Sequence, residues 1–220
     1  MDRVGVLGGT LDPIHCGHLA AATAACDALE LSSVIVMPAH VPPHRAVRPV
    51  ASAYHRFAMA ALAVLAEPRL HVSDDELGSE GPSYTADTLD RLHARGMAAS
   101  QIFFITGADA FADIATWKRY PEVLDLANFV VVSRPGHQIE ALRDRLPALA
   151  DRMRPADSAA HASGHPSIFL LRTPTPDVSS TIVRERLARG EAITGLVPAL
   201  VEAHILKQRL YRTDELHGEI

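Results

Sequence analysis

Two imidazoles three residues apart, His15 and His18, close the run GGTLDPIHCGH that begins with Gly8, Gly9 and Thr10. Residues three apart where a helix begins share a face, so both rings can be turned to one ligand. A helix start offers unpaired N–H groups and partial positive charge, which favour phosphate. Imidazoles add directed donors there without the permanent charge of lysine, and Gly8 and Gly9 suit a tight turn with close backbone approach. Either histidine alone is equally well read as an incidental turn residue. GGT, DP and HCGH in one run point instead to phosphate chemistry.

A second anion element, SSTIVR, occupies residues 179–184. Ser179 or Ser180 caps a helix there, while Thr181 and the first N–H groups face an anion. Arg184, one turn on, leans back with its fork of donors. In isolation this is a capped surface helix with a solvated arginine. Beside the first cluster it becomes the other half of a phosphate cradle.

The elements that must position these groups alternate along the chain. Short β-branched runs predict strands over 3–7, 34–37, 70–73, 102–106, 129–133 and 168–171. Helical patterns lie between them at 18–29, 52–66, 84–94, 110–114, 121–126, 139–151, 181–189 and 198–209. Ser52 and Ser83 suit N-caps, Pro198 a first helical position, and Gly96 and Gly190 the residue just past a helix. The alternation predicts an α/β fold, a Rossmann-like doubly wound parallel sheet with helices on both faces. The expected strand order is 3-2-1-4-5, with room for a sixth strand. Residues 1–220 read as one domain, with a small helical subregion at about 179–210. Residues 154–166 are poorly patterned and read as a mobile surface loop.

In such a sheet, ligands bind beyond the carboxyl ends of the strands where the order reverses. The polar clusters fall there: GGTLDPIHCGH after strand one, PAHVPPHR after strand two, TGADAF after strand four and SRPG after strand five. The loops after strands one and four would face each other across the crevice.

Several classes are disfavoured. No G-x-x-x-x-G-K-[ST] occurs, and the first turn reads GVLGGT rather than G-x-G-x-x-G, so neither a P-loop nor a dinucleotide fingerprint is present. A net charge of −5 argues against general nucleic-acid binding. No apolar run is long enough to span a membrane, and no leader pattern precedes the first strand. Cys16 and Cys26 lie about 15 Å apart along one helix, too far to bridge, which suggests reduced thiols and a cytoplasmic setting. His40 with His44, or His161 with His165, make poor metal pairs without nearby cysteines, so no protein metal site is expected. Asp74–Glu76 reads as a solvated loop, or, if functional, as one positioning an acceptor loop. The basic residues of 139–154 read as the outer face of a helix.

The pairing of GGTLDPIHCGH with SSTIVR resembles the HxGH nucleotidylyltransferase superfamily. PSYTADTL at 82–89, GADAF followed by Trp117, and SRPG are similar to bacterial nicotinate mononucleotide adenylyltransferase, and the resemblance runs from Gly8 to about Arg209. It implies transfer of the adenylyl group of ATP to nicotinate mononucleotide, giving nicotinate adenine dinucleotide and pyrophosphate in NAD biosynthesis. By resemblance, His15, His18 and Arg184 are catalytic. Gly8, Gly9 and Thr10 line the phosphate path, Gly107 and Asp109 hold the adenosine ribose, and Arg134 sits near adenine. Ser180, Thr181 and Arg184 hold the β- and γ-phosphates. Thr10, Leu11, His44, Arg45, Tyr84, Thr85 and Trp117 take the mononucleotide, with Tyr84, Thr85 and Trp117 framing its ring. Mg2+ accompanies ATP without dedicated protein ligands; the other partners are small molecules, and a homo-oligomer is left open. Leu11 stands where relatives commonly have Phe, and Arg45 where they have Lys, which bears on how the acceptor is seated. Pantetheine-phosphate adenylyltransferase, a nicotinamide-preferring enzyme and a non-catalytic nucleotide sensor are the alternatives. The first characteristically lacks the segment carrying PSYTADTL and Trp117, and a sensor would be free to lose His15, His18 and Arg184.

Overall fold

The computed structural model describes residues 2–43, 49–78, 81–133, 139–157 and 165–212. Among them, seven strands form one sheet in the order β3-β2-β1-β4-β5-β7-β6, every neighbouring pair parallel. They are β1 (Val4–Gly9), β2 (Ser33–Pro38), β3 (Leu70–Val72), β4 (Ile102–Gly107), β5 (Asn128–Val132), β6 (Met153–Pro155) and β7 (Ile168–Leu171). The helices are α1 (Cys16–Leu29), α2 (Ala53–Val64), α3 (Thr85–Ala94), α4 (Ala108–Phe111), α5 (Ala141–Arg145), α6 (Ser180–Ala188) and α7 (Ala199–Lys207). The expected order is present, extended by two strands beyond β5.

A parallel sheet is covered on both faces, so its strands read as nearly continuous apolar runs. Successive residues still alternate between faces. Phe103 and Ile105 pack with α1, α2, α6 and α7, while Ile102 and Phe104 pack with α3 and Phe111. The site is set by where pairing stops. β1 pairs with β2 out to Gly9↔Pro38, and β4 pairs with β5 out to Gly107↔Val132. Pairing between β1 and β4 ends earlier, at Leu7↔Ile105. The crevice therefore opens between Gly8–Gly9 and Thr106–Gly107, where the strand order reverses.

Several local expectations are corrected. The helix expected over 139–151 is broken, with α5 ending before Leu146 and a 3-10 turn, Pro147–Arg152, following. Pro147 lacks an N–H and drives Leu146 out of helical geometry, to φ −127°. The piece expected over 121–126 is a 3-10 turn, Glu122–Asp125. Within 154–166, Arg154 and Pro155 belong to the edge strand β6, which is too short to show alternation and ends in a proline tolerated at an edge. Arg145 is exposed on α5, as an outer helical face requires, but two other basic residues of this region bind carbonyls instead. Arg143 donates to the Ala150 and Met153 oxygens (3.1 and 2.8 Å), and Arg152 to those of Leu124 and Pro166 (2.5 and 2.9 Å).

Ser52 caps α2 as expected, accepting from the His55 N–H. Gly96 and Gly190 hold the expected left-handed positions, with φ +90° and +71°. Pro198 is the N-cap of α7 rather than its first residue, and Tyr84, not Ser83, is the N-cap of α3. The Ser83 hydroxyl instead accepts from the His40 N–H at 2.9 Å, tying the loop after β2 to the entry of α3.

One charged residue of α2 faces inward. Arg56 is 1% exposed, and its guanidinium donates to the carbonyls of Thr10 (2.7 Å), His40 (3.0 Å) and Ala51 (3.3 Å). Burial pulls its pKa down while Asp12 pushes the other way. Arg56 thus holds the loops after β1 and β2 against α2. Arg56→Met keeps much of the stem but strands three carbonyls and the neighbouring carboxylate. We expect a loss of about 3–5 kcal/mol in urea unfolding; a loss below about 1 kcal/mol would mean the loops hold themselves.

Candidate active site

The loop after β1 differs in detail from the glycine turn expected of it. Gly8 and Gly9 are still in strand, and the left-handed residue is Leu11, at φ +51° and 3% exposed. Gly8 is needed for closeness: an added Cβ would lie 3.1 Å from Phe104 Cζ. At Gly9 the nearest atom, on Leu11, would be 3.7 Å away, an ordinary contact.

His15 is the extended N-cap of α1 and is buried. Its N–H donates to His18 Nδ1 at 3.2 Å, and the two rings stack with centroids 3.7 Å apart. A His18 ring that accepts at Nδ1 carries its proton on Nε2 when neutral, which makes Nε2 a donor. Gly17 leaves room for the pair. A Cβ there would stand 3.1 Å from both Cε1 and Nδ1 of His15 and 3.3 Å from Val178 Cγ1.

The second anion element meets the first. Ser179 caps α6 by accepting from the Ile182 N–H, and the Ser180 hydroxyl donates to the Pro13 carbonyl at 2.9 Å. Arg184 donates to the Asp12 carbonyl at 2.6 Å and to Thr181 Oγ1 at 3.3 Å. The Cys16 N–H donates to the Leu196 carbonyl. Segments some 170 residues apart in sequence are thus stitched at the mouth of the crevice.

Two cavities flank His18. One, of about 270 Å3, is bounded by His15, Gly17, Ser133 and the run Thr175, Pro176, Asp177, Val178 after β7. The other, of about 310 Å3, is bounded by Gly8, Gly9, Thr10, Leu11, Tyr84, Thr85, Asp109, Trp117 and Ser180. His18, Thr106 and Gly107 line both. Most of the expected residues are therefore gathered at one crevice. Thr181 and Arg184 stand at its edge, in the helix start that supplies Ser179 and Ser180 to its walls. Arg134, His44 and Arg45 lie outside the described residues.

Trp117 combines two roles. Its ring meets Phe104 and Phe129 edge-on, at 6.0 and 6.3 Å, yet it also lines the second cavity. Beside it, Lys118 Nζ lies 4.8 Å above the Tyr84 ring and is held by both carboxylate oxygens of Asp87.

The acidic run 74–76 is not a solvated loop throughout. Glu76 is buried, accepts from Thr88 Oγ1 at 2.6 Å and lines the second cavity. Asp75 takes both arms of Arg95, which holds its carboxyl below the usual range.

Sequence reasoning had Asp12 only as part of the first motif and Glu76 only within the acidic run 74–76; it passed over Arg56, Lys118, residues 175–178 and Tyr211. Two of these left a trace. TPTPDVSS follows the carboxyl end of β7, where ligand loops are expected, and Arg56 shares the face of Met59, Ala60 and Ala63 in an otherwise apolar helix.

The cytidylyltransferase-like family model matches residues 6–186. A probable nicotinate-nucleotide adenylyltransferase of Thermoanaerobacter sp. (strain X514) is 38% identical over 216 residues, covering 98% of this chain and 97% of the relative. That of Salinispora arenicola (strain CNS-205) is 41% identical over 206 residues, covering 94% and 100%. Plasmodium falciparum nicotinic acid mononucleotide adenylyltransferase, solved in complex with NaAD, is similar in fold, with a TM-score of 0.73 at 17% identity, covering 96% of this chain and 98% of that one. With a matched model over most of its length and full-length relatives near 40% identity, this chain belongs to the cytidylyltransferase-like family, among its nicotinate-nucleotide adenylyltransferases.

Proposed function

We propose that the chain joins ATP and nicotinate mononucleotide to give nicotinate adenine dinucleotide and pyrophosphate, with the reaction centred on His18. The observation that carries this is the placement of His18 in the wall common to two cavities. The adenosine half of ATP enters the smaller cavity, between His15 and residues 175–178. The mononucleotide lies in the larger one, its ring near Trp117, Tyr84 and Thr85. Arg134 beside adenine, and His44 with Arg45 at the acceptor, complete the expected set.

An oxygen of the acceptor phosphate attacks the α-phosphorus of ATP. The new P–O bond forms as the bond to the bridging oxygen breaks, and pyrophosphate leaves with its electron pair. The attacking oxygen is already an anion, so neither a base nor a protein nucleophile is required. Catalysis then comes from alignment and from donors aimed where charge develops. His18 Nε2 donates to the transferred phosphate, and the start of α6 with Arg184 receives the departing pyrophosphate. ATP enters as its Mg2+ complex, the ion riding on phosphate oxygens and water. The 1–220 chain acts as one domain on small molecules, in the cytoplasm.

A pyrophosphate-release assay with MgATP tests this, offering nicotinate mononucleotide, nicotinamide mononucleotide and phosphopantetheine in turn. Release should be fastest with the first; release with none of the three overturns the reading. His18→Ala should lower kcat by about 10²–10³, the usual cost of one preorganised donor. Near-normal turnover of the folded variant would remove His18 from the chemistry. Gly17→Ala presses on the His15 ring by less than the roughly 1 Å misplacement that costs on the order of 10², so kcat should fall by about threefold to tenfold. Unchanged kinetics would show that the stacked pair tolerates movement.

A further inference from the structure

The cradle described above does not end with α6. Beyond α7 the chain turns back, and the Tyr211 hydroxyl, buried, donates to Asp12 Oδ1 at 2.8 Å. Asp12 is a node. Its carboxylate also accepts from the N–H groups of Val50 (2.8 Å) and Ala51 (3.1 Å), and its carbonyl is the one that Arg184 grips. Arg56, whose charge the same carboxylate favours, holds the Thr10 and Ala51 carbonyls. One buried residue thus connects the entry of α2 and the last described turn, through its carboxylate, with the arginine of α6, through its carbonyl.

The backbone conformations point to the same place. Leu11 precedes Asp12 at φ +51°, and Arg209 and Tyr211 adopt φ +53° and +63°. Side-chain-bearing residues rarely enter this region, and they persist there only where surrounding structure dictates it. Here unfavourable conformations stand on both sides of one hydrogen bond.

We propose that Tyr211 is a positioning residue for adenylyl transfer, its hydroxyl fixing Asp12 so that the Asp12 carbonyl seats Arg184 toward the triphosphate. The inference rests on the adenylyltransferase reading and adds to it a group remote in sequence that touches no substrate. Burial and the Asp12 carboxylate push the Tyr211 pKa far up, so the hydroxyl remains a donor throughout the working pH range. A tyrosine that only filled the core beside Val201 and Ile205 would need no hydroxyl at this point.

Tyr211→Phe removes that oxygen and keeps the ring. Steady-state kinetics should be measured for each protein at one fixed interval below its own melting midpoint, so that loss of folded protein is not read as loss of turnover. We expect kcat/KM for ATP to fall by about tenfold, the scale of one hydrogen bond, while KM for the mononucleotide stays within twofold. In an Arg184→Ala background the same substitution should change kcat/KM by less than about twofold, since its effect runs through the arginine. Calorimetric titration of MgATP gives a readout independent of turnover, with the same loss expected in Tyr211→Phe. Unchanged kinetics and ATP affinity in Tyr211→Phe, or an equal loss with and without Arg184, would overturn the proposal. If wild-type protein releases no pyrophosphate with any acceptor, the functional reading fails instead, and the titration still reports whether Tyr211 seats the ATP site.

Discussion

The geometry of the crevice depends on two buried charges, Asp12 and Arg56, each met by hydrogen-bond partners of the opposite kind. Taking a carboxylate and a guanidinium out of water costs several kcal/mol apiece, and that cost is offset only when nearly every lone pair and proton finds a partner. Asp12 accepts two backbone N–H groups and a phenol, and Arg56 donates to three backbone carbonyls. A phosphate-binding loop is irregular by nature, and its inward carbonyls and N–H groups have no strand or helix to satisfy them. The charged pair does that work, and in doing so fixes the loops after β1 and β2 before any substrate arrives. Donors already in place at the developing charge need no rearrangement during reaction.

The same constraint explains why the cradle draws on both ends of the chain. A sheet whose strand order reverses between β1 and β4 opens a crevice there, and the run after β1 leads into one helix start, that of α1. A triphosphate and an acceptor phosphate bring more charge than one helix terminus and two neutral rings can receive. The second half returns to the α1 face with α6 and α7, and α6 presents its capped start beside the first. The junction is made through backbone oxygens of Asp12 and Pro13, so their identity as acceptors does not depend on side-chain chemistry.

What was legible in the sequence follows from this division. Strand–helix alternation is a local signal, and it specifies the parallel sheet and the order of its first five strands. Phosphate motifs are local too, because helix caps and i, i+3 pairs act within one turn. Their joining is not local. The hydrogen bond from Tyr211 to Asp12 spans 199 residues, and no periodicity reports it. Arg56 shows only as a charged residue on an apolar face, a pattern that fits a solvated side chain as well. Glu76 is concealed for the opposite reason: it ends an acidic run whose first residue, Asp74, is exposed, and only burial and the hydrogen bond from Thr88 set it apart. The turn after β1 misled in a narrower way, since the left-handed residue is Leu11 and Gly8 serves closeness rather than conformation.

The position of His18 between the cavities gives one ring access to both. Its Nδ1 is occupied by the His15 N–H, so the ring can neither rotate freely nor choose its other tautomer without losing that bond. The backbone of α1 sets the direction of its remaining nitrogen. The stacked His15 ring limits tilt, and Gly17 leaves room for the stack, where a Cβ would press on the His15 ring and on Val178. A lysine in the same place would bring charge but three freely rotating donors on a flexible stem, and would spend part of its interaction on ground-state phosphates already negative. A neutral, aimed donor discriminates better for the moment at which charge on the transferred group is greatest, and the local sequence HCGH is what this geometry requires.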